Sequence, residues 1–188
     1  MLNTVQIIIN NKCNCFCKMC DIGIYRSNKK YNMNLNIKTT EFMNNIFYSD
    51  TTPYLTLYEY KNFINTLPHN TNVYINSTEP LLSKNLFPIL YMLSEKKHKI
   101  YLTTNGLLLK KYVKKLAEIP ITNFCISLDG PYHIHDTIRG INGLFNLVFS
   151  GIEELRSLRP DMYIRTSTAI SHLNQNHLIE LFRVLRPL

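Results

Sequence analysis

"KIYLTTNGLLLKKYVKKLAE", Lys99–Glu118, is the stretch on which the fold turns. Lys99–Thr104 is a short apolar, β-branched run and reads as a strand. Leu108–Glu118 reads as a helix. The "TTNG" between them, Thr103–Gly106, is a polar loop with a glycine. Together they make one strand–loop–helix unit.

The unit recurs on both sides. "NVYINS", Asn72–Ser77, precedes a helix expected over Ser83–Lys97. "NFCISL", Asn123–Leu128, precedes one over Gly143–Arg159, and "MYIRTSTA", Met162–Ala169, precedes one over Asn174–Leu185. At the start, "TVQIII", Thr4–Ile9, is a strand. The Asn-rich residues 23–53 read as loop and short helix. "LTLYEYKNFINTLP", Leu55–Pro68, then places Leu57, Tyr60, Phe63, Ile64 and Leu67 on one helical stripe that Pro68 stops. Strict alternation implies a parallel sheet with helices outside. Right-handed crossovers curl it toward a barrel or a doubly wound sheet, and ligands then bind at the carboxyl ends of the strands.

The bulk composition agrees with one α/β domain over residues 1–188, large enough for a real core. No apolar run approaches the roughly 20 residues of a membrane span. The N-terminus lacks a cationic segment and a small-residue cleavage site, so a cytoplasmic protein is expected. The net charge of +8 is scattered and reads as a solvated basic surface. RNA is the sharper alternative and is disfavoured, because no aromatic-plus-basic motif accompanies the charge.

Every strand is followed by polar or ligand-capable residues on one rim. After the first comes "KCNCFCKMCD", Lys12–Asp21, with four of the five cysteines. Then come "STEP" (Ser77–Pro80), "TTNG" and "SLDGP" (Ser127–Pro131), and the fifth strand carries "RTST" (Arg165–Thr168). An odd, clustered cysteine set reads as metal or redox chemistry rather than a disulfide framework. Cys13, Cys17 and Cys20 have C-x3-C-x2-C spacing, with Cys15 inside the first gap. Three thiolates can bind three irons of a [4Fe-4S] cluster and leave the fourth open, whereas ferredoxin-type clusters use four. Zinc on all four cysteines, or plain free thiols, is the other reading. Zinc sites usually pair two hooks from separate segments, and four ligands within eight residues are sterically poor.

This spacing after the first strand, with the other rim motifs in order, resembles the radical S-adenosylmethionine (SAM) superfamily over nearly the whole chain. The motif style is similar to the peptide- and protein-modifying, sulfatase-maturase-like (SPASM-type) members. The resemblance implies a partial parallel (β/α) barrel with five recognisable β-α units of the usual six. It implies that Cys13, Cys17 and Cys20 hold the cluster, with Cys15 a bystander, and that SAM chelates the open iron. A one-electron transfer to SAM would then yield methionine and a 5′-deoxyadenosyl radical that takes a hydrogen atom from the substrate. The implied partners are a peptide or protein substrate and an external electron donor of the ferredoxin or flavodoxin type.

Position by position, "STEP" stands where the family has Gly-Gly-Glu-Pro. Glu79 would hold the methionyl ammonium with nearby carbonyls, although Ser77 and Thr78 replace the glycines. Ser127 matches a strand-end position near the ribose and carboxylate. In "GPYHIHDTIRG", Gly130–Gly140, Arg139 would pair with the SAM carboxylate, and Asp136 is a loop residue orienting that segment. Arg165 is the second candidate for that contact. Thr104 and Asn105 would line the floor. Met19 stands where many members place an aromatic residue against the adenine.

Plainer readings stand beside these. Glu79 suits a helix start beside Pro80. Asp129 before Gly130 is equally a turn former. His133 and His135 read as solvated loop residues and Cys125 as a small core residue. The runner-up for the whole chain is a degenerate or partial domain that binds a cluster or a partner without turnover.

Overall fold

A computed structural model describes residues 3–30 and 55–187. Five strands form one all-parallel sheet in the order β1-β2-β3-β4-β5. They are β1 (Thr4–Ile7), β2 (Asn72–Ile75), β3 (Lys99–Thr104), β4 (Ile121–Ser127) and β5 (Ile164–Ser167). The helices are α1 (Asp21–Lys30), α2 (Leu57–Thr66), α3 (Leu86–Glu95), α4 (Leu109–Ala117), α5 (Tyr132–Arg139), α6 (Leu144–Leu158) and α7 (Leu178–Leu185). Short 3-10 turns lie at Pro80–Leu82 and Gln175–His177. Among the described residues no helix is long and apolar enough to cross a membrane.

The alternation of side chains sorts the sheet into two faces. Val73 and Ile75 stand level with Ile100 and Leu102, and Leu102 stands level with Phe124. All of these are buried. The sequential strand order with right-handed crossovers puts the helices on this apolar side. The opposite face carries Tyr74, Tyr101, Thr103, Asn123, Ser127 and Arg165, which are half-buried or exposed. Strands that read as near-continuous apolar runs are thus half polar.

Strand positions follow expectation: β3 matches, β4 starts two residues earlier, at Ile121, and β1, β2 and β5 are trimmed. β1 stops at Ile7 and β5 spans only Ile164–Ser167, because polar side chains take over the backbone groups beyond them. The Ser77 hydroxyl accepts from the Ile9 N–H at 2.6 Å, and Asp129 accepts from the Ala169 N–H at 2.9 Å. α2 begins with a capping box in which Thr56 and Glu59 satisfy each other's backbone. The short helix expected in residues 23–53 is present as Asp21–Lys30, and the remainder of that stretch lies outside the described residues.

One helix is not in the sequence reading. "YHIHDTIR", read as loop, is α5, begun after Pro131 and closed by Gly140 in the left-handed region at φ 70°. This corrects the placement of two residues. Asp136 lies on a helix, and so does His135, which is fully buried rather than solvated.

Candidate cluster and cofactor site

The cysteine loop is held on three sides. Toward β2, Ser77 accepts from the Ile9 and Asn10 N–H groups, and Asn10 donates its side-chain N–H to the Glu79 carbonyl at 2.9 Å. Toward β3, Asn105 donates its side-chain N–H to Asn14 at 2.8 Å and reaches the Cys13 sulfur at 3.8 Å. Toward α5, the Phe16 N–H donates to the Arg139 carbonyl at 2.9 Å and the Lys18 N–H to that of Ile138 at 2.8 Å. Those two bonds bracket Cys17. Two glycines let the backbone in: a Cβ on Gly23 would lie 2.3 Å from the Cys17 nitrogen, and one on Gly140 2.7 Å from the Phe16 oxygen.

Within the loop, the Cys15 thiol is buried beside the sulfurs of Cys13 and Cys17, and the Cys15 N–H donates to the Cys13 sulfur at 3.4 Å. The Cys15 thiol and N–H hold the Cys13 thiol down to about 6, helped by Arg26 and Asn105 and opposed by burial. The Cys17 thiol is lowered first by Cys15 and then by Arg139, again against burial. The Cys15 thiol is pushed up because its proton serves both neighbours. Cys20 is half-buried at the start of α1, its N–H donating to the Cys17 carbonyl at 3.3 Å. Among the described residues no three His, Cys, Asp or Glu side chains are gathered as a ready metal site. The donor chemistry nevertheless fits a thiolate-ligated cluster, since two of its sulfurs are biased to the thiolate and faced by arginines.

Glu79 sits beside this loop at 0% exposure. Its Oε1 accepts from the Thr104 hydroxyl at 2.7 Å and the Leu81 N–H at 3.0 Å, and its Oε2 from the Asn105 N–H at 2.7 Å. Burial drives its carboxyl up to about 7, further than these bonds bring it down. Among the described residues no cation pairs with it. Asn105 joins the two groups, touching Glu79 through its backbone and Cys13 through its side chain.

The far side of the rim is ion-paired. Arg139 Nε donates to Asp129 Oδ2 at 2.5 Å, and its Nη1 lies 3.7 Å from the Cys17 sulfur. Asp129 is at 0% exposure, as are His135 and Asn174. Asp129 is thus more than the turn former its place before Gly130 allows, and no local pattern marks Asn174. His135 Nδ1 accepts from the Asp129 N–H at 3.1 Å, so its proton is on Nε2, which has no partner among the described residues. Burial holds that imidazole neutral, with its pKa lowered to about 3.

The structure therefore brings Cys13, Cys17, Ser77, Glu79, Thr104, Asn105 and Arg139 together. Thr78 is half-buried within the same "STEP" turn, and Met19 is half-buried against the core. Ser127 and Arg165 lie on the polar sheet face, Ser127 level with Ser167 and Arg165 with Cys125. Neither bonds to the cysteine loop among the described residues. Cys125 is buried, but it stands on the polar sheet face, level with Thr103 and Arg165.

The family profile described as the radical SAM superfamily matches residues 7–185. The chain belongs to that superfamily. It is 36% identical over 110 residues to a GTP 3′,8-cyclase of Campylobacter jejuni, covering 57% of this chain and 34% of that protein. It is 29% identical over 116 residues to an AdoMet-dependent heme synthase of Methanosarcina barkeri, covering 61% and 33%. Among solved structures it resembles anSMEcpe with bound AdoMet and Kp18Cys peptide, with TM-score 0.68, 16% identity, and 98% of this chain and 48% of that one covered. It also resembles Streptococcus suis SuiB bound to precursor peptide SuiA, with TM-score 0.65, 16% identity, and 96% and 36% covered. At such identities the two structures establish the shared fold alone. The radical SAM chain spans about a third of the length of these curated relatives.

Proposed function

We propose that residues 1–188 are a radical SAM core domain that binds a [4Fe-4S] cluster through Cys13, Cys17 and Cys20 and uses it to cleave SAM reductively. The observation that carries this reading is Asn105, which links a buried, cation-free carboxylate to the first cysteine of the loop. A cluster with one open iron, when bound, supplies the electron that splits SAM into methionine and a carbon radical able to take a hydrogen atom.

The chain's own residues bind and orient. Glu79 has accepted three hydrogen bonds and keeps acceptor capacity for the methionyl ammonium, with Thr104 and Asn105 fixing its oxygens. Ser77 and Thr78 flank it and set the backbone carbonyls. Arg139 has five N–H donors and commits Nε and one on Nη1, which leaves donors for the carboxylate. Ser127 and Arg165 on the polar face line the route to the ribose and the substrate, and Met19 packs on the adenine through its thioether. Cys15 is not a ligand in this assignment and stays a buried hydrogen-bond partner.

For the substrate we favour a peptide or protein side chain, supported by "SLDGPYHIHDTIRG" and by the peptide-bound relatives of like fold. The electron comes from an external ferredoxin- or flavodoxin-type donor. The second reading is a small-molecule substrate, favoured by the 36% identity to a GTP cyclase. Anaerobic reconstitution with iron and sulfide, then SAM and dithionite, tests the core claim. Release of 5′-deoxyadenosine is expected from the wild type. Loss of iron is expected for Cys13→Ala, Cys17→Ala and Cys20→Ala but not for Cys15→Ala. A loaded cluster that releases no 5′-deoxyadenosine would favour a binding module without turnover.

A further inference from the structure

We infer that Asp129 is a positioning residue for the cluster: it fixes the Arg139 guanidinium against the Cys17 sulfur, so that a permanent positive charge faces that ligand and raises the cluster's reduction potential. The inference rests on the assignment of Cys17 as a ligand.

Asp129 is unusually well anchored. Its Oδ1 accepts from the Ala169 N–H just past β5, and its Oδ2 from Arg139 Nε. Its N–H is taken by His135 Nδ1. Its carbonyl accepts from Asn174 Nδ2 at 2.7 Å, and the same amide also holds the Ala169 carbonyl at 2.9 Å. The carboxylate is thus tied to the end of β4, to α5 and to the segment after β5, with no exposure to water. Residues in so many bonds at once do not swing.

That rigidity passes to Arg139. An arginine side chain free in solvent samples many rotamers, but its guanidinium is planar, so fixing Nε leaves little freedom to Nη1. Nη1 lies 3.7 Å from the Cys17 sulfur. The backbone sets the same register from the other direction, because Phe16 and Lys18, on either side of Cys17, donate to the carbonyls of Arg139 and Ile138. The sulfur and the guanidinium therefore hang from one helix end. Hydrogen bonds and positive charge at a ligand sulfur stabilise the more reduced, more negative cluster.

The sign of the effect separates positioning from simple electrostatics. Removing the Asp129 charge while Arg139 stays in place would raise the potential, since an anion is lost. Releasing Arg139 from the sulfur would lower it. We therefore compare wild type, Asp129→Asn, Arg139→Gln and Arg139→Lys after anaerobic reconstitution. The readouts are iron content and an EPR-monitored redox titration without SAM. The expected result is a lower midpoint potential in Arg139→Gln and also in Asp129→Asn. Arg139→Lys, which keeps the charge but loses the fork, should fall between Arg139→Gln and wild type. A potential in Asp129→Asn equal to or above wild type, with iron content preserved, overturns the proposal. Should Asp129→Asn fail to fold, wild-type potential in Arg139→Gln overturns it equally. A wild-type chain that takes up no cluster overturns both this proposal and the ligand assignment. Loaded clusters with indifferent potentials overturn this one alone.

Discussion

The rim of the sheet carries two fully buried carboxylates, and they are treated differently. Among the described residues Glu79, beside β2 and β3, is met only by neutral donors: a threonine hydroxyl and two backbone N–H groups. Asp129, at the end of β4, is met by a guanidinium. A buried carboxylate without a cation is costly, and the rise of the Glu79 carboxyl to about 7 expresses that cost. One half of the site is electrically closed and serves as a frame. The other half has no cation among the described residues, and under the proposed function the methionyl ammonium would supply it. The cysteine loop lies between, with Cys13 on the unfinished side and Cys17 on the framed side.

The sharpest break in this comparison is Glu79→Gln, which removes the charge and keeps the size. Truncating one partner of a desolvated charge contact costs about 2–5 kcal/mol, so SAM affinity should fall tens- to thousands-fold. Iron content should not change. Equilibrium SAM binding to reconstituted protein reads the difference, and wild-type affinity would reduce "STEP" to a helix start.

The next largest effect belongs to the glycines that admit the loop. Gly140→Ala meets the Phe16 backbone and a left-handed φ of 70° at once. The two effects together should cost about 2–5 kcal/mol. Gly23→Ala, whose new Cβ would overlap the Cys17 backbone, should be comparable. Thermal melts of the apo chain should drop in both, and iron uptake should fall with them. Near-normal loading in either would show that the loop is less tightly seated than its contacts indicate.

The two halves also predict opposite pH slopes. The Glu79 carboxyl rises from 4.5 to about 7 on folding, so the folded chain holds a proton there that the unfolded chain has lost. Its contribution to stability is complete below about 4.5 and declines as pH rises to about 7. His135 falls from 6.5 to about 3, so its contribution is complete above 6.5 and declines as pH falls through that range. Urea melts across pH should show Glu79→Gln flattening the first limb and His135→Gln the second, each by at most about 1.4 kcal/mol per pH unit. Parallel curves for wild type and Glu79→Gln would mean that Glu79 gains its missing partner in the apo chain.

Much of this was legible in the sequence, for physical reasons. Short β-branched runs followed by helical stripes make a parallel sheet almost unavoidable, and polar residues gathered after each strand mark the rim. What escaped depends on contacts distant in sequence. Asn174 reaches back 45 positions to the Asp129 carbonyl, and no local pattern announces it. Gly23 and Gly140 matter only because the Phe16–Cys17 backbone passes against them. α5 was missed because Gly130, Pro131 and two histidines look like loop, while the buried stripe it forms is only His135 and Ile138. Glu79 was found as a residue, but its lack of a cation was not, since neighbours across strands decide that.

The smallest effect tests whether α5 divides its labour. Asp136 is three residues before Arg139, yet it turns the other way. Its Oδ2 accepts from the Gly143 N–H at 2.6 Å and its Oδ1 from the Phe145 N–H at 2.8 Å. Those N–H groups open α6, whose N-cap residue, Gly143, has no side chain to cap them. Asp136 thus does the work of an N-cap from the preceding helix, and its negative charge suits that helix end. It does not orient the Arg139 side chain, which is held by Asp129. Asp136→Ala should therefore cost about 1 kcal/mol of stability, the usual penalty for a lost cap. It should leave both SAM affinity and the cluster's potential at wild-type values. A melt alongside the binding titration checks this. Should Asp136→Ala weaken SAM binding as far as Glu79→Gln does, α5 would be a single unit that transmits any disturbance to the site. The contrast between a fixed frame and an unfinished half would then have to be abandoned.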